Sequence, residues 1–253
     1  MLSSTDSSTN FIHSSIGLGS EGYFSADEFR CVKLGLGPTN DPPGLIRVCA
    51  CNRSFDAHED SLHGLSCALN RGIRNTRHDS IRDKLYLLIK KLNPGIQQTH
   101  LSKEFEVGRT STDTTVRTDI KYLKGADTFY IDVAVVDPAA SEYQKAPAFS
   151  HLTRDGAASK YERTKRQHYA RVTTPSPLPE RSIIPFVIEA TGRLGPSALL
   201  FLHSLCGTQT FSRSKFLTDV NLICARTAGR MFKMTRDRFQ GLHQGVLLSP
   251  MHG

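Results

Sequence analysis

FYIDVAVV, residues 129–136, decides the fold. Seven of its eight residues are apolar or aromatic and four are β-branched, and Gly125 and Asp137-Pro138 bound it, so the pattern predicts a central, well-buried strand. Side chains alternate across a strand. Asp132 therefore shares a face with Tyr130, Ala134 and Val136, while Phe129, Ile131, Val133 and Val135 take the other. A carboxylate on an otherwise apolar face is costly unless it is paired or bound to a cation.

Working outward, TVRTDIKYL (residues 115–123) and KEFEV (103–107) read as two more strands separated by the polar GRTSTDT. Before them, Ile81, Leu85, Leu88, Ile89 and Leu92 recur at helical spacing from Arg77 onward, and Asn93-Pro94-Gly95 ends that helix. On the far side, AASKYERTKRQHYARV from Ala157 is helical and stops before TTPSPLPE. IIPFVIEA, residues 183–190, is a fourth strand in which Pro185 suits an edge or first ladder position. Pro196 then opens a helix in GPSALLFLHSL. The order helix, three strands, helix, strand predicts an α/β fold, a mixed central sheet flanked by helices. Domain boundaries follow the composition. Residues 1–48 are an irregular lead-in, 49–76 a Cys/His-rich segment, 77–210 the α/β domain and 211–253 a basic C-terminal helix and tail.

Asp119 lies on the strand before FYIDVAVV, with twelve residues between it and Asp132. If those strands are hairpin neighbours, the two carboxylates converge. Such a pair suits Mg²⁺ or Mn²⁺, hard ions that take one or two carboxylates and keep waters for reaction. Phosphodiester hydrolysis uses that arrangement, with a lysine to orient the water or stabilise developing charge. Lys165 falls on the sheet-facing side of its helix, and Glu189 near the end of the fourth strand is a further candidate ligand. The alternative is structural: Asp132 pairs with Arg117 or Lys165, and Asp119 is an exposed strand residue.

Cys49, Cys51, His63 and Cys67 lie within nineteen residues and suit a soft tetrahedral zinc site, with His58 and His78 as substitutes. The other reading makes Cys49 and Cys67 small buried hydrophobes. The opening MLSSTDSSTN has no basic-then-apolar start, so reduced thiols or metal ligands are expected. No uncharged apolar run approaches the ~18 residues of a membrane span. Lysine and arginine number 32 against 24 acids, a net charge of +8 that favours an anionic partner such as DNA or RNA. Residues 215–239 form a helix with Phe216, Val220, Ile223 and Met231 on one side and Arg226, Arg230, Lys233 and Arg236 toward its end, a phosphate-contacting candidate.

CACNRSFDAHEDSLHGLSC, NTRHDSIRDKL, VRTDIKY, FYIDVAVVDP, KYERTKRQHYARV and IIPFVIEATGRLGPSA together span about residues 48–206. This region resembles the one that follows the reverse transcriptase in non-LTR retrotransposons carrying a restriction-like endonuclease. The resemblance implies a Cys/His zinc knuckle followed by a metal-dependent DNA endonuclease of the PD-(D/E)xK superfamily, acting in the nucleus. Arg117-Thr118-Asp119 and Asp132 match its acid pair, with Thr118 where the family carries proline. The family's lysine commonly lies two residues after the second acid. Ala134 stands there in this chain, so the resemblance points to Lys165 for that role. It also implies an acid in or just after the first helix, for which Asp79, Asp83 and Glu104 are candidates. A catalytically inactive nucleic-acid-binding module on the same fold is the alternative function.

Overall fold

The computed structural model describes residues 46–52, 54–56, 63–138, 156–174 and 178–246. In chain order the elements are β1 (Ile46–Val48), β2 (Ser54–Asp56), α1 (His63–Ser66), α2 (Arg71–Leu92), β3 (Leu101–Thr110), β4 (Thr115–Lys124) and β5 (Asp127–Val136). There follow α3 (Gly156–Tyr169), β6 (Val172–Thr174), β7 (Ile183–Glu189), α4 (Pro196–Cys206) and α5 (Thr210–Val246). The described residues divide into two compact units, one formed by His78–Ile223 and the other by those from Ile46 to Arg77 together with those from Cys224. No described helix is long and apolar enough to cross a membrane.

The first unit is built on a five-stranded mixed sheet of order β6-β3-β4-β5-β7. β3, β4 and β5 form an antiparallel meander, and β7 returns parallel to β5 after α3. The fold is α/β with helices flanking a mixed sheet, as the element order predicts. FYIDVAVV is an interior strand, and Ile131 to Ala134 are all buried. Pro185 lies on the edge strand, where its missing N–H deprives no ladder partner. Past Glu189 the chain folds back, Leu194 bridging Ile188 and the Gly195 N–H donating to the Val187 carbonyl at 2.8 Å. This return covers the open edge.

The two faces of β5 bury different partners. On the face of Asp132, Ala134, Val136 and Val187 pack against Ala157 and Ala158 of α3, with Tyr161 alongside. A second cluster joins Tyr169 of α3 to Val107, Val116, Val172 and Ile183. On the opposite face Phe129 meets Tyr122 and Phe201, and Phe186 meets Phe201 and Phe216 edge-on. Fully burying an aliphatic or aromatic side chain contributes about 1.5–3 kcal/mol, so these two layers dominate the unit's stability.

Some boundaries differ from the sequence expectation. The first helix begins at Arg71, six residues before the apolar periodicity sets in. Val172, read as the end of α3, instead opens β6, which pairs with the far end of β3. The lead-in ends in a strand, β1; residues 1–45 lie outside the described residues.

The second unit contains the β1–β2 hairpin, α1 and the last part of α5. Asn70 is its buried hub. The Nδ2 amide donates to the Gly64 carbonyl at 2.8 Å, the Met231 carbonyl at 3.2 Å and Thr235 Oγ1 at 3.1 Å. Met231, Phe232 and Thr235 are buried there, and a side chain at Gly64 would meet Phe232 at 3.0 Å.

Candidate functional site

The β4–β5 ladder runs from Lys124 opposite Asp127 to Ile120 opposite Ile131. Continued by one residue, that register sets Asp119 opposite Asp132, where facing Cβ atoms are roughly 5 Å apart. The ladder changes character here. Thr118 turns its hydroxyl onto the Ile131 carbonyl at 2.7 Å, and the Val133 N–H donates to Asp119 Oδ2 at 2.7 Å. A side-chain carboxylate has replaced the backbone acceptor, fixing Asp119 where the two strands part.

α3 supplies the cation. Ala157 and Ala158 seat its first turn on the sheet, and two turns on Lys165 Nζ lies 3.0 Å from Asp132 Oδ2 and 3.2 Å from Oδ1. Tyr161 flanks the ammonium, its ring centroid 5.7 Å away. Tyr169, one turn further, donates its hydroxyl to the Arg117 carbonyl at 2.9 Å and lies beside Asp132. Of the two structural partners open to Asp132, the chain uses Lys165 and leaves the Arg117 side chain exposed.

His78 of α2, read from its spacing as a substitute zinc ligand, completes the group instead. Its Nε2 lies 3.3 Å from Asp119 Oδ2 and 3.1 Å from the Val133 carbonyl, and its Nδ1 lies 3.2 Å from Asp79 Oδ1. His78 thus stands on the first helix where the resemblance implied an acid. Asp79 and Asp83 both meet Arg82, Asp83 also meets Lys103, and Glu104 meets Arg82, so Asp83 and Glu104 serve an exposed ion-pair network that Asp79 joins while also holding His78. His78, Tyr169 and the Val133 backbone were missed because their contacts cross between elements and no spacing within one element encodes them.

The charges follow from this packing. The bond to Asp119 raises His78 to about 9 against the opposing effect of burial. Burial pushes Asp119 up, but the His78 ring and the Val133 N–H outweigh it and hold it below the usual carboxylate range. Asp132 is raised, by burial first and by neighbouring Asp119 as well, with Lys165 opposing. Burial pulls Lys165 down, and Asp132 more than restores it. Tyr169 is pushed up by burial and by Asp132, so its phenol keeps its proton. The two adjoining carboxylates are thus shifted in opposite directions, Asp119 down and Asp132 up.

Glu189 does not join them. The parallel register pairs it with Val136 and pairs Asp132 with Pro185, a displacement of four residues or roughly 13 Å along the strand. It is 4% exposed and is gripped by Arg193, whose Nε donates to Oε2 at 3.0 Å while Nη2 holds Oε1. That ion pair ties the fold-back after β7, and the expected role of Glu189 as a ligand is corrected accordingly.

The second unit gathers thiols. Cys49 to Asn52 form a turn closed by the Asn52 N–H on the Cys49 carbonyl at 2.8 Å, with Asn52 in the left-handed region at φ 65°. Cys67, after α1, brings its sulfur to 3.6 Å from that of Cys49, and the ligand atoms of Cys49, Cys51 and Cys67 all lie within 4.8 Å of one another. Tetrahedral zinc at ~2.3 Å from each sulfur would space them roughly 3.8 Å apart, so this cluster fits a metal such as zinc. Burial, and then the neighbouring thiols, push Cys49 up to about 12. Among the described residues this is the one group of three or more Cys, His, Asp or Glu side chains so arranged. His63 opens α1, but its side chain lies outside the described residues, as does His58.

Arg226 and Lys233 are half-buried and Arg230 exposed on the same helix end, opposite Cys224, Thr227 and Met231; the Arg236 side chain lies outside the described residues. A comparison with known protein families and with characterised proteins finds no match to this chain.

Proposed function

We propose that the chain is a divalent-metal-dependent DNA endonuclease with a restriction-endonuclease-like core of retroelement type. One observation carries the reading: Asp119 and Asp132 face each other where β4 and β5 part, with the Lys165 ammonium on the second acid. Asp119 and Asp132 would hold Mg²⁺ or Mn²⁺, which when bound polarises a phosphoryl oxygen and lowers the pKa of a coordinated water. Lys165 is placed to orient the attacking water or to stabilise charge on the phosphate as it develops. Tyr169 packs beside Asp132 with Val107, Val116, Val172 and Ile183, and α3 seats Lys165 through the packing of Ala157 and Ala158. Cys49, Cys51 and Cys67, with His63 as fourth ligand, would bind zinc and stiffen a nucleic-acid-docking knuckle. Arg226, Arg230, Lys233 and Arg236 would contact phosphates in a salt-dependent manner.

Nicking of supercoiled plasmid tests this. Cleavage should require Mg²⁺ or Mn²⁺ and be lost in Asp132→Ala and Asp119→Asn, while Lys165→Met should retain metal binding but cut at least about a hundredfold more slowly. The second reading is a binding module without chemistry, favoured by the fact that Lys165 and His78 already neutralise both acids. A wild-type protein that never cleaves, together with DNA affinity that survives in the Asp132→Ala variant, would establish that module.

A further inference from the structure

We infer that Phe105, Lys121 and Tyr130 form a stacking subsite for one unpaired nucleotide beside the scissile phosphate, so that the substrate is DNA single-stranded next to the cut; the placing of that nucleotide rests on the acid-pair reading above. Register sets the location. Lys121 stands across from Tyr130 in the β4–β5 ladder, and each lies two residues from an acid on its own strand, Asp119 and Asp132. All four side chains therefore share one face of the sheet, with Lys121 and Tyr130 roughly 7 Å from the acids, about one step of an extended nucleotide chain.

The chemistry of the three side chains fits a nucleotide. The Phe105 and Tyr130 rings stack at 25° with centroids 6.2 Å apart, and the Lys121 ammonium sits 4.1 Å from the Phe105 centroid. All three residues are half-buried: Tyr169 at the end of α3 belongs to the cluster that backs both rings without enclosing them. No acid neutralises the cation. Glu104 and Glu106, on either side of Phe105, are engaged by Arg82 and Arg109, and among the described residues no carboxylate pairs with Lys121. An aromatic face receives any base, provided the base has left its own stack, and a lysine beside it takes the phosphate. The rim of a core needs only the rings. A cation held over one of them, on the face of the acid pair and in a chain of net charge +8, suits a polyanion that also carries π faces.

The test uses the full-length chain with Ca²⁺ in place of Mg²⁺, so that binding is read without cleavage, and a short DNA single strand containing 2-aminopurine against its blunt duplex. Wild type should bind the single strand at least about tenfold more tightly than the duplex and quench the 2-aminopurine. Tyr130→Leu and Phe105→Leu should each weaken the single strand about five- to a hundredfold and lose the quench, while Tyr130→Phe, which keeps the ring, should match wild type. Lys121→Met should flatten the slope of log affinity against log salt by about 0.7, which a packing defect would not do, and Lys121→Arg should restore it. Equal affinity for single strand and duplex, or no loss in either leucine variant, in a wild-type protein that nicks plasmid would overturn the inference and leave the acid-pair reading intact. Ring-dependent binding by a wild-type protein that never nicks with Mg²⁺ or Mn²⁺ would overturn the endonuclease reading and keep the subsite as that of the binding module.

Discussion

Asp132 is 7% exposed and its carboxylate faces a second carboxylate, so it is stable as an anion only because Lys165 holds both of its oxygens. Removing the ammonium leaves a buried charge beside a like charge, a loss of about 3–5 kcal/mol. Lys165→Met should therefore lower the urea midpoint more at pH 7.5 than at pH 5, because burial and Asp119 raise Asp132 and so ease its protonation as the pH falls. Loss of equal size at both values would mean that packing, not charge, is what Lys165 supplies. His78 adds a second pH dependence in metal-free protein. Its folded value of about 9 exceeds the unfolded 6.5, so its stabilisation is complete below pH 6.5 and disappears as the pH rises through 9. Wild type should lose stability across that window, and Asp119→Asn, which removes the main partner but leaves Asp79, should lose clearly less there. Asp132 was legible in the sequence because a lone charge interrupts an apolar strand. His78 was not, because its placement depends on how far α2 lies along the sheet.

Among the elements, α3 and α4 are joined by a contact that no periodicity announces. Glu162 is buried and accepts from the Ser197 N–H at 3.0 Å and its hydroxyl at 2.7 Å, satisfying donors at the start of α4, while Arg166 donates to the same hydroxyl at 3.0 Å. Gly195 makes room for this: a Cβ there would lie 2.4 Å from Glu162 Oε1 and 3.2 Å from the Ala158 side chain. Gly195→Ala should displace the carboxylate and lower stability by about 1–3 kcal/mol, and Glu162→Ala should lose a similar amount. Because both remove the same interaction, the double variant should lose much less than the sum in thermal melts. Additive losses would show that Gly195 is needed for another reason. The strands themselves were readable, since period-two alternation and β-branching mark β4, β5 and β7 directly. β6 was hidden because three residues carry no period, and only its pairing with β3 makes it a strand.

For the molecule as a whole, the two compact units call for different stabilisers. The unit of His78–Ile223 has two apolar layers on a sheet, whereas the described part of the other offers a hairpin of two three-residue strands, a one-turn helix, the last part of α5 with Met231 and Phe232, and the polar hub at Asn70. Small units are commonly completed by a metal or by disulfides, and Cys49, Cys51 and Cys67 form no disulfide and gather their sulfurs within bonding reach of one ion. The cysteine cluster was visible in the sequence as a count and a spacing, but which thiols meet depended on the turn at Asn52. Zinc would bind Cys49 as thiolate against its upward shift, and metal loss should make the three thiols accessible only by loosening the small unit around them. Purified chain should contain about one zinc ion, and its Cys49, Cys51 and Cys67 should resist iodoacetamide until a chelator is added. Cys224, buried and raised to about 11 by that burial, should remain unmodified under both conditions until the protein is unfolded. Mass spectrometry of the alkylated peptides reads both results at once. Chelation should also release amide protection around Asn70 and leave the β4–β5 ladder unchanged in hydrogen exchange. Equal alkylation with and without chelator, or loss of protection in β5 as readily as at Asn70, would remove zinc from the account and leave the three thiols as ordinary core side chains.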